Sequence, residues 1–323
     1  IGILPGYEVL GASAAVLLVL LRMIQGLSVG GEYTTSIVFL VEESGRKHHG
    51  FAASWSGFGA VGGILLGSAV GAVVTATLPD ESVRTWGWRL PFVIGLFVGL
   101  VGLFIRRHIP ERARNARSAT GPSPIREAFR NHWRLILRIA LFNSVGGIGF
   151  YFAFVFLVTY MQDVGGLGEA EALEINTLNM AVVLAITPFA GWLSDRIGRM
   201  PIVIAGMGGM LLFSWPLLQA LQHHSPAWNF CGQFGFAILI GLIGGVVPVM
   251  MVEMTPANVR CSSISIGYNL CLALVGGTTP LAMTSLIEET GDAGSPAWYL
   301  MSAAVVSLTV AVATLLVQRK PET

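Results

Sequence analysis

The sequence predicts an all-α polytopic membrane protein, and three observations support that fold class. Apolar residues make up 54% of the 323 residues, whereas charged residues make up 11%. Mean hydropathy is +0.70, which is higher than a soluble globular domain shows. The apolar residues fall in runs long enough for a helix to cross a hydrocarbon core of roughly 30 Å, which needs about 20 residues. Runs of this length favour helices over the ten-residue alternating strands of a barrel.

Nine apolar segments meet this length requirement, and each is a predicted membrane span. Three precede the longest polar connection, at 13–41, 52–77 and 88–106. Six follow it, at 133–161, 176–193, 201–220, 228–252, 262–287 and 296–317.

The first span carries two charges where charges are costly. Arg22 and Glu32 both lie within 13–41, and a charge at the bilayer centre costs roughly 2.5 to 3.5 kcal/mol on insertion scales. Gln25 shares a helix face with Arg22, whereas Glu32 lies about 15 Å further along the helix. We predict that these three residues and Tyr33 form a functional site, with partners from other helices, water or a transported solute.

The next two spans carry patterns that predict structural roles. The second has Gly59, Gly63, Gly67 and Gly71 at four-residue intervals, a stripe that predicts close helix packing. The third opens with WGWRLPF at 86–92, whose tryptophans are typical of a membrane–water interface.

The connection at 107–132 is rich in arginine and also contains Pro110, Pro122 and Pro124. It predicts a cytoplasmic linker between a partial N-terminal half at 1–106 and a six-helix C-terminal half at 133–323. Nucleic-acid binding is an alternative reading of its charge, but retention of positive residues in the cytoplasm already explains it. We therefore predict no nucleic-acid partner.

Uncharged polar residues lie inside the spans after the linker. Any of them would hydrogen-bond either a solute or another helix, and the sequence leaves both roles open. These candidate solute-lining residues are Asn143, Tyr151, Gln233, Tyr268 and Asn269.

The connection GWLSDRIGRMP, Gly191–Pro201, is the most specific motif. Asp195 and Arg199 are four residues apart, and ion pairs at a membrane edge would hold one conformation and break in another. With Glu253 as a partner and Arg196 beside them, we predict a gating site; a solvated turn is the alternative.

The segment after the first span resembles the segment after the seventh. Both 42–50 and 253–260 begin with glutamate and continue through a turn to basic residues. A separation of six spans is expected when one six-helix half repeats another.

Lys and Arg residues predict the orientation. Of the 19, all but Arg22, Arg84 and Arg89 fall on alternate connections, which predicts that these connections and the C-terminus are cytoplasmic. The segment before the first span is then external, although the chain starts at Ile1 without a signal peptide. We therefore expect further helices before Ile1.

Several chemistries lack their usual sequence signals. The three cysteines and six histidines show no paired metal-ligand spacing, so we predict no metal site. Without a nucleophile elbow, a Walker loop or a dinucleotide fingerprint, the chain is predicted not to be an enzyme or an ATP-driven pump.

Four motifs together resemble the major facilitator superfamily, and within it the metabolite:proton symporter family of proline/betaine, oxoglutarate and shikimate carriers. RMIQGLSVGGEYT is similar to that family's fourth helix, WGWRLPF to the start of its sixth, and GWLSDRIGRMP to the loop between the eighth and ninth. GYNLCLALVGGTTP, Gly267–Pro280, is similar to its eleventh helix.

The resemblance implies that the nine spans correspond to helices four to twelve, with the first three lacking. It implies that Arg22 matches an arginine linked to proton coupling, and that Asp195, Arg196 and Arg199 match the gating loop. It further implies a bacterial inner-membrane symporter that takes up a small organic acid or zwitterionic osmolyte with protons by alternating access. Such a carrier lies in the lipid bilayer, needs no cofactor and is monomeric when complete.

Two other classes stay open from the sequence. A non-transporting remnant or membrane sensor would explain the expected lack of three helices. A membrane enzyme would require a catalytic constellation, which the sequence does not show.

Overall fold

The computed structural model describes residues 1–108 and 124–318. These residues form helices and short connections, with no strand among them. Nine helices in this part of the chain are long and apolar enough to cross a membrane, which confirms the nine predicted spans. Most of the predicted linker, residues 109–123, lies outside the described residues.

The nine helices are numbered α1 to α9 in chain order. They are Ala12–Glu43, His49–Thr77, Leu90–His108, Trp133–Asp163, Glu169–Ile197, Arg199–Ala220, Pro226–Glu253, Arg260–Thr290 and Pro296–Gln318. Short helices precede or connect them at Tyr7–Leu10, Arg46–His48, Asp80–Thr85, Gly87–Arg89 and Pro124–Asn131.

The chain divides into two compact units. One comprises Ile1–Gly31 and Gly63–Ser123; the other comprises Glu32–Gly62 and Pro124–Thr323. The second unit therefore contains helices α4 to α9 together with the end of α1 and the start of α2. The predicted division at 1–106, 107–132 and 133–323 stays a prediction.

In the first unit, the segment WGWRLPF forms a one-turn helix, Gly87–Arg89, that leads into α3. The Arg89 guanidinium stacks on the Trp88 ring at 4.3 Å and donates to the carbonyl of Leu4 at 3.3 Å. Pro91 lies in the first turn of α3, where its missing N–H costs nothing. The arginine thereby ties the beginning of the chain to the beginning of α3.

Helix α7 lies at the centre of the second unit. It is the most hydrophobic of the nine, and 78% of its most apolar window is buried. It packs on α5 and α6, while α4 packs on α8 and α9. At the α5–α7 contact, a Cβ on Gly245 would lie 2.7 Å from the Ala190 Cβ, so glycine is required for the two backbones to approach.

Three spans contain a π-helical turn that the sequence reading did not anticipate. The turns lie at Phe152–Phe156 in α4, Ile204–Gly208 in α6 and Leu272–Gly276 in α8. Hydropathy predicts the length of a span but carries no information on hydrogen-bond register, so the spans were predicted as regular helices.

Candidate functional site

The predicted gating connection joins α5 to α6 through a single residue. Gly198 has φ of +93°, a conformation that glycine adopts readily and other residues do not. Asp195 stands in the last turn of α5 and Arg199 begins α6. The sharp turn therefore places the two side chains side by side.

Asp195 binds the first turn of helix α2. Its Oδ1 accepts a hydrogen bond from the Gly50 N–H and its Oδ2 from the Phe51 N–H, both at 2.8 Å. These N–H groups have no partner within their own helix, and the helix dipole favours a negative charge there. Although the Asp195 side chain is 6% exposed, its charge is thus satisfied.

Arg199 links Asp195 to the end of helix α7. Its Nη1 lies 2.6 Å from Asp195 Oδ1, and its Nη2 lies 3.0 Å from Glu253 Oε1. Nη1 also donates to the Ser194 hydroxyl at 2.8 Å. One guanidinium therefore connects the last turns of α5 and α7, with Asp195 extending the connection to α2.

Two glycines allow this arrangement. A Cβ on Gly50 would lie 2.6 Å from the Gly191 carbonyl oxygen, and a Cβ on Gly191 would lie 2.6 Å from the Gly50 carbonyl oxygen. The backbones of α2 and α5 are therefore in direct contact where Asp195 meets the start of α2.

A third ion pair joins the end of α1 to the start of α8. Arg260 Nη1 lies 2.6 Å from Glu42 Oε1, and Arg260 Nε donates to the Thr255 carbonyl at 3.1 Å. The sequence reading did not select Glu42, Arg260 or Gly50 as site residues. The similarity between 42–50 and 253–260 was the sequence signal for these residues, because each segment supplies a glutamate that pairs with an arginine.

We call Glu42, Asp195, Arg199, Glu253 and Arg260 the polar latch. Three of the four predicted gating residues are in it. Arg196 is not, because its guanidinium stacks on the Trp192 ring at 4.0 Å. The gating role of all four stays a prediction.

The predicted residues of the first span fall in both units. In the first unit, Arg22 donates to Gln25 Oε1 at 3.2 Å and lies 5.8 Å from the centroid of the Phe92 ring. Their shared helix face is as predicted. Glu32 is exposed and begins the second unit.

Helices α1 and α8 also meet through uncharged groups. The ring of Tyr33 lies 5.0 Å from that of Tyr268, and the Thr34 hydroxyl lies 2.5 Å from the Ser265 hydroxyl. Asn269 donates to the Ser265 carbonyl at 2.8 Å, which occupies one of its amide hydrogens. Three predicted residues, Tyr33, Tyr268 and Asn269, therefore lie at or beside this contact.

The two candidates on α4 are placed differently. Asn143 is buried, and its Nδ2 has no hydrogen-bond partner. Tyr151 is half-buried, with its ring against the Gly276 backbone of α8. The Cys271 thiol, a weak acceptor, interacts with the Asn143 side chain, so a ligand oxygen would be a stronger acceptor for this amide.

Gln233 on α7 is fully buried. Its Nε2 donates to the Ala153 carbonyl at 2.7 Å and to Asn176 Oδ1 at 2.8 Å. Its Oε1 accepts from Asn179 Nδ2 at 3.0 Å. The sequence left open whether Gln233 bonds to a solute or to another helix, and the structure shows that it bonds to α4 and α5.

No group of three or more His, Cys, Asp and Glu side chains that could hold a metal ion occurs within residues 1–108 and 124–318. The histidine His224 instead lies 3.2 Å from the Gly165 carbonyl oxygen through Nδ1.

Comparisons with known proteins agree with this architecture. The family described as Major Facilitator Superfamily matches residues 1–280. The chain is 30% identical over 321 residues to the glycine betaine/proline/ectoine/pipecolic acid transporter OusA of Dickeya dadantii, covering 95% of this chain and 64% of the relative. It is 33% identical over 322 residues to the alpha-ketoglutarate permease of Escherichia coli, covering 99% of this chain and 73% of the permease.

A solved structure shares the fold. The MFS proton:xylose symporter XylE bound to 6-bromo-6-deoxy-D-glucose aligns with a TM-score of 0.66 at 18% identity, covering 87% of this chain and 66% of that chain. These matches confirm the resemblance and the fold class predicted from the sequence. The chain spans about two thirds of the length of these relatives. The nine apolar helices within the described part of the chain and its bacterial relatives indicate a multi-pass inner-membrane protein.

Proposed function

The chain belongs to the major facilitator superfamily, and we propose that it imports a small organic acid or zwitterionic osmolyte together with protons by alternating access. The names of its relatives support both solute classes, since OusA is a transporter of betaine and proline and the permease takes alpha-ketoglutarate. All of these solutes carry a carboxylate. The protein is proposed to act as a monomer in the lipid bilayer without a cofactor.

The polar latch is the observation that carries the proposal. Alternating access requires contacts between helix ends that form in one state and break in the other. The latch joins the ends of α1, α5 and α7 to the starts of α2, α6 and α8. Its outer members, Glu253 and Glu42, are 37% and 51% exposed. Ion pairs this exposed contribute about 0 to 1 kcal/mol each, so they can separate and become hydrated.

The latch is proposed to close the cytoplasmic side. The helix ends that it joins lie next to the connections that hold Lys47, Arg199 and Arg260, and basic connections stay in the cytoplasm. The same orientation puts the C-terminus in the cytoplasm.

Solute and proton are proposed to bind away from the latch. The buried Asn143 amide has the Cys271 thiol, a weak acceptor, as its neighbour, and a carboxylate of the solute would be a stronger acceptor for it. Tyr151, Tyr268 and Asn269 are the proposed neighbours of that solute. Arg22 and Glu32 are proposed to couple transport to protons, because protonating a carboxylate removes the charge that is costly in a membrane.

Solute counterflow in proteoliposomes tests the function. The protein, expressed with any coding sequence that precedes Ile1, is loaded with unlabelled solute and offered labelled betaine, proline or oxoglutarate. We expect exchange of one solute class and its accumulation when an inward proton gradient is imposed. Absence of exchange for all three solutes would contradict the proposal.

Arg22→Ala separates proton coupling from solute exchange in the same assay. We expect counterflow to persist while proton-driven accumulation is lost. Arg84→Ala is the matched control, since Arg84 is exposed in the short helix Asp80–Thr85. Unchanged accumulation in Arg22→Ala would remove Arg22 from the coupling mechanism.

A further inference from the structure

The π-helical turn in α4 leaves one backbone carbonyl without its usual donor. In a regular α-helix the Leu157 N–H would bond to the carbonyl of Ala153, four residues earlier. Here the Leu157 N–H bonds to Phe152, five residues earlier. The Ala153 carbonyl is thereby displaced from the helical ladder, and Ala153 is fully buried. A buried carbonyl in this position requires a donor from elsewhere.

Gln233 supplies that donor from helix α7. Its Nε2 lies 2.7 Å from the Ala153 carbonyl oxygen. Asn176 and Asn179 on helix α5 fix the amide orientation, because one accepts from Nε2 and the other donates to Oε1. The side chain therefore connects three helices at the irregular turn.

An aromatic contact, made one helical turn further along α7, also supports the π-helical turn of α4. Phe236 follows Gln233 by three residues, so both lie on the same face. Its ring packs edge-on against Phe152 with centroids 5.0 Å apart. Phe152 and Phe236 are both fully buried. The polar bond and the apolar contact thus hold the same turn of α4.

We propose that Gln233 is a positioning residue that maintains the π-helical turn of α4 and thereby sets the orientation of the solute-facing part of this helix. A π turn contains one residue more than an α turn, so its loss would rotate the residues on its two sides by about 100° relative to each other. On one side lie Asn143 and Tyr151. On the other lies Tyr160, whose hydroxyl donates to the Ala293 carbonyl at 2.9 Å.

The solute-facing side is itself anchored to another helix. Ser307 Oγ on α9 accepts from the Val145 N–H at 3.1 Å and donates to the Leu141 carbonyl at 2.9 Å. Because both ends of α4 are attached elsewhere, a change of register at the turn cannot be absorbed by free rotation of the helix. It must move Asn143 and Tyr151 or break these attachments.

Hydrogen–deuterium exchange of the full chain in lipid nanodiscs tests the positioning role. Gln233→Met keeps the side-chain length and removes the donor. We expect amides in peptides covering 152–158 to exchange about tenfold faster or more, in line with the loss of a buried hydrogen bond, while α9 is unchanged. Unchanged exchange in 152–158, or an equal increase in all helices, would overturn the proposal.

Two further variants distinguish loss of the π-helical turn from general destabilisation of the protein. Asn176→Leu removes one acceptor and leaves the bond from Gln233 to Ala153, so exchange in 152–158 should rise less than in Gln233→Met. Gln219→Leu replaces a half-buried glutamine on α6 and should leave that segment as in the wild type. An equal rise in all three variants would overturn the proposal.

The transport consequence rests on the proposed function. In the counterflow assay, Gln233→Met should raise the KM for solute more than it lowers the maximal rate, because binding groups are displaced. A fall in maximal rate with unchanged KM would contradict the link from the turn to the solute site. If the wild type transports no solute, the proposed function fails, and the exchange measurement still decides whether Gln233 maintains the turn.

Discussion

At the scale of single residues, Asp195 combines two kinds of partner in one carboxylate. It accepts two backbone N–H groups of α2 and pairs with Arg199. Charge-assisted bonds of this kind are roughly twice as strong as neutral ones. The hydrogen bonds that Asp195 accepts are therefore stronger than the same bonds to an uncharged side chain would be.

Asp195→Asn tests that charge. The variant keeps the shape and loses the charge, so the latch should weaken by about 1 to 3 kcal/mol. We expect the maximal counterflow rate to change about tenfold while the KM for solute stays nearly constant. Arg196→Ala is the control, since Arg196 lies on the same connection outside the latch. A pure loss of solute affinity in Asp195→Asn would contradict a role in switching.

The sequence predicted the part of the latch formed by Asp195, Arg199 and Glu253 but not the pair of Glu42 and Arg260. Asp195 and Arg199 are four residues apart, a spacing that identifies neighbours on or near one helix. Glu42 and Arg260 are 218 residues apart, so their pairing depends on how α1 packs against α8. Only the charge signs of such a pair are present in the sequence.

At the scale of elements, the latch depends on how closely α2 approaches α5. The backbones of Gly50 and Gly191 are in contact, and the Arg199 guanidinium lies against Gly50. Any side chain at either position must push the helices apart, which lengthens the bonds from Asp195 to α2. Helix spacing and latch strength are therefore coupled.

Gly50→Ala should open this contact. A Cβ 2.6 Å from the Gly191 carbonyl oxygen cannot be accommodated without backbone movement, which typically costs 1 to about 3 kcal/mol. We expect a lower thermal unfolding temperature and a changed counterflow rate. Gly59→Ala on the same helix is the matched control, because its Cβ would meet nothing within 4 Å. Equal effects of the two variants would show that the contact is not decisive.

The sequence predicted the nine spans but not the π-helical turns inside three of them. The lengths of the apolar runs predicted the nine helices because a membrane span needs about 20 predominantly apolar residues. The π turn at Phe152–Phe156 has no hydropathy signature. The displaced Ala153 carbonyl accepts a hydrogen bond from Gln233 on another helix, and such a contact is a tertiary property.

At the scale of the whole molecule, the apolar composition, the long apolar runs and the family motifs predicted the membrane class and the fold. They did not predict that the end of α1 and the start of α2 form one compact unit with 124–323. Three ion pairs and the contact between Tyr33 and Tyr268 lie inside that unit. The division follows these contacts rather than the position of the linker.

Exchanging the charges of Glu42 and Arg260 tests whether their pair acts as a unit across the molecule. Glu42→Arg alone places two cations together at the 2.6 Å contact, and Arg260→Glu alone places two anions there. Since a partly exposed pair contributes up to about 1 kcal/mol, each single variant should change the maximal counterflow rate by roughly fivefold. The double variant should recover most of the wild-type rate, because opposite charges again face each other. If the double variant shows the product of the two single effects, the residues act independently and the pair is not part of a latch between α1 and α8.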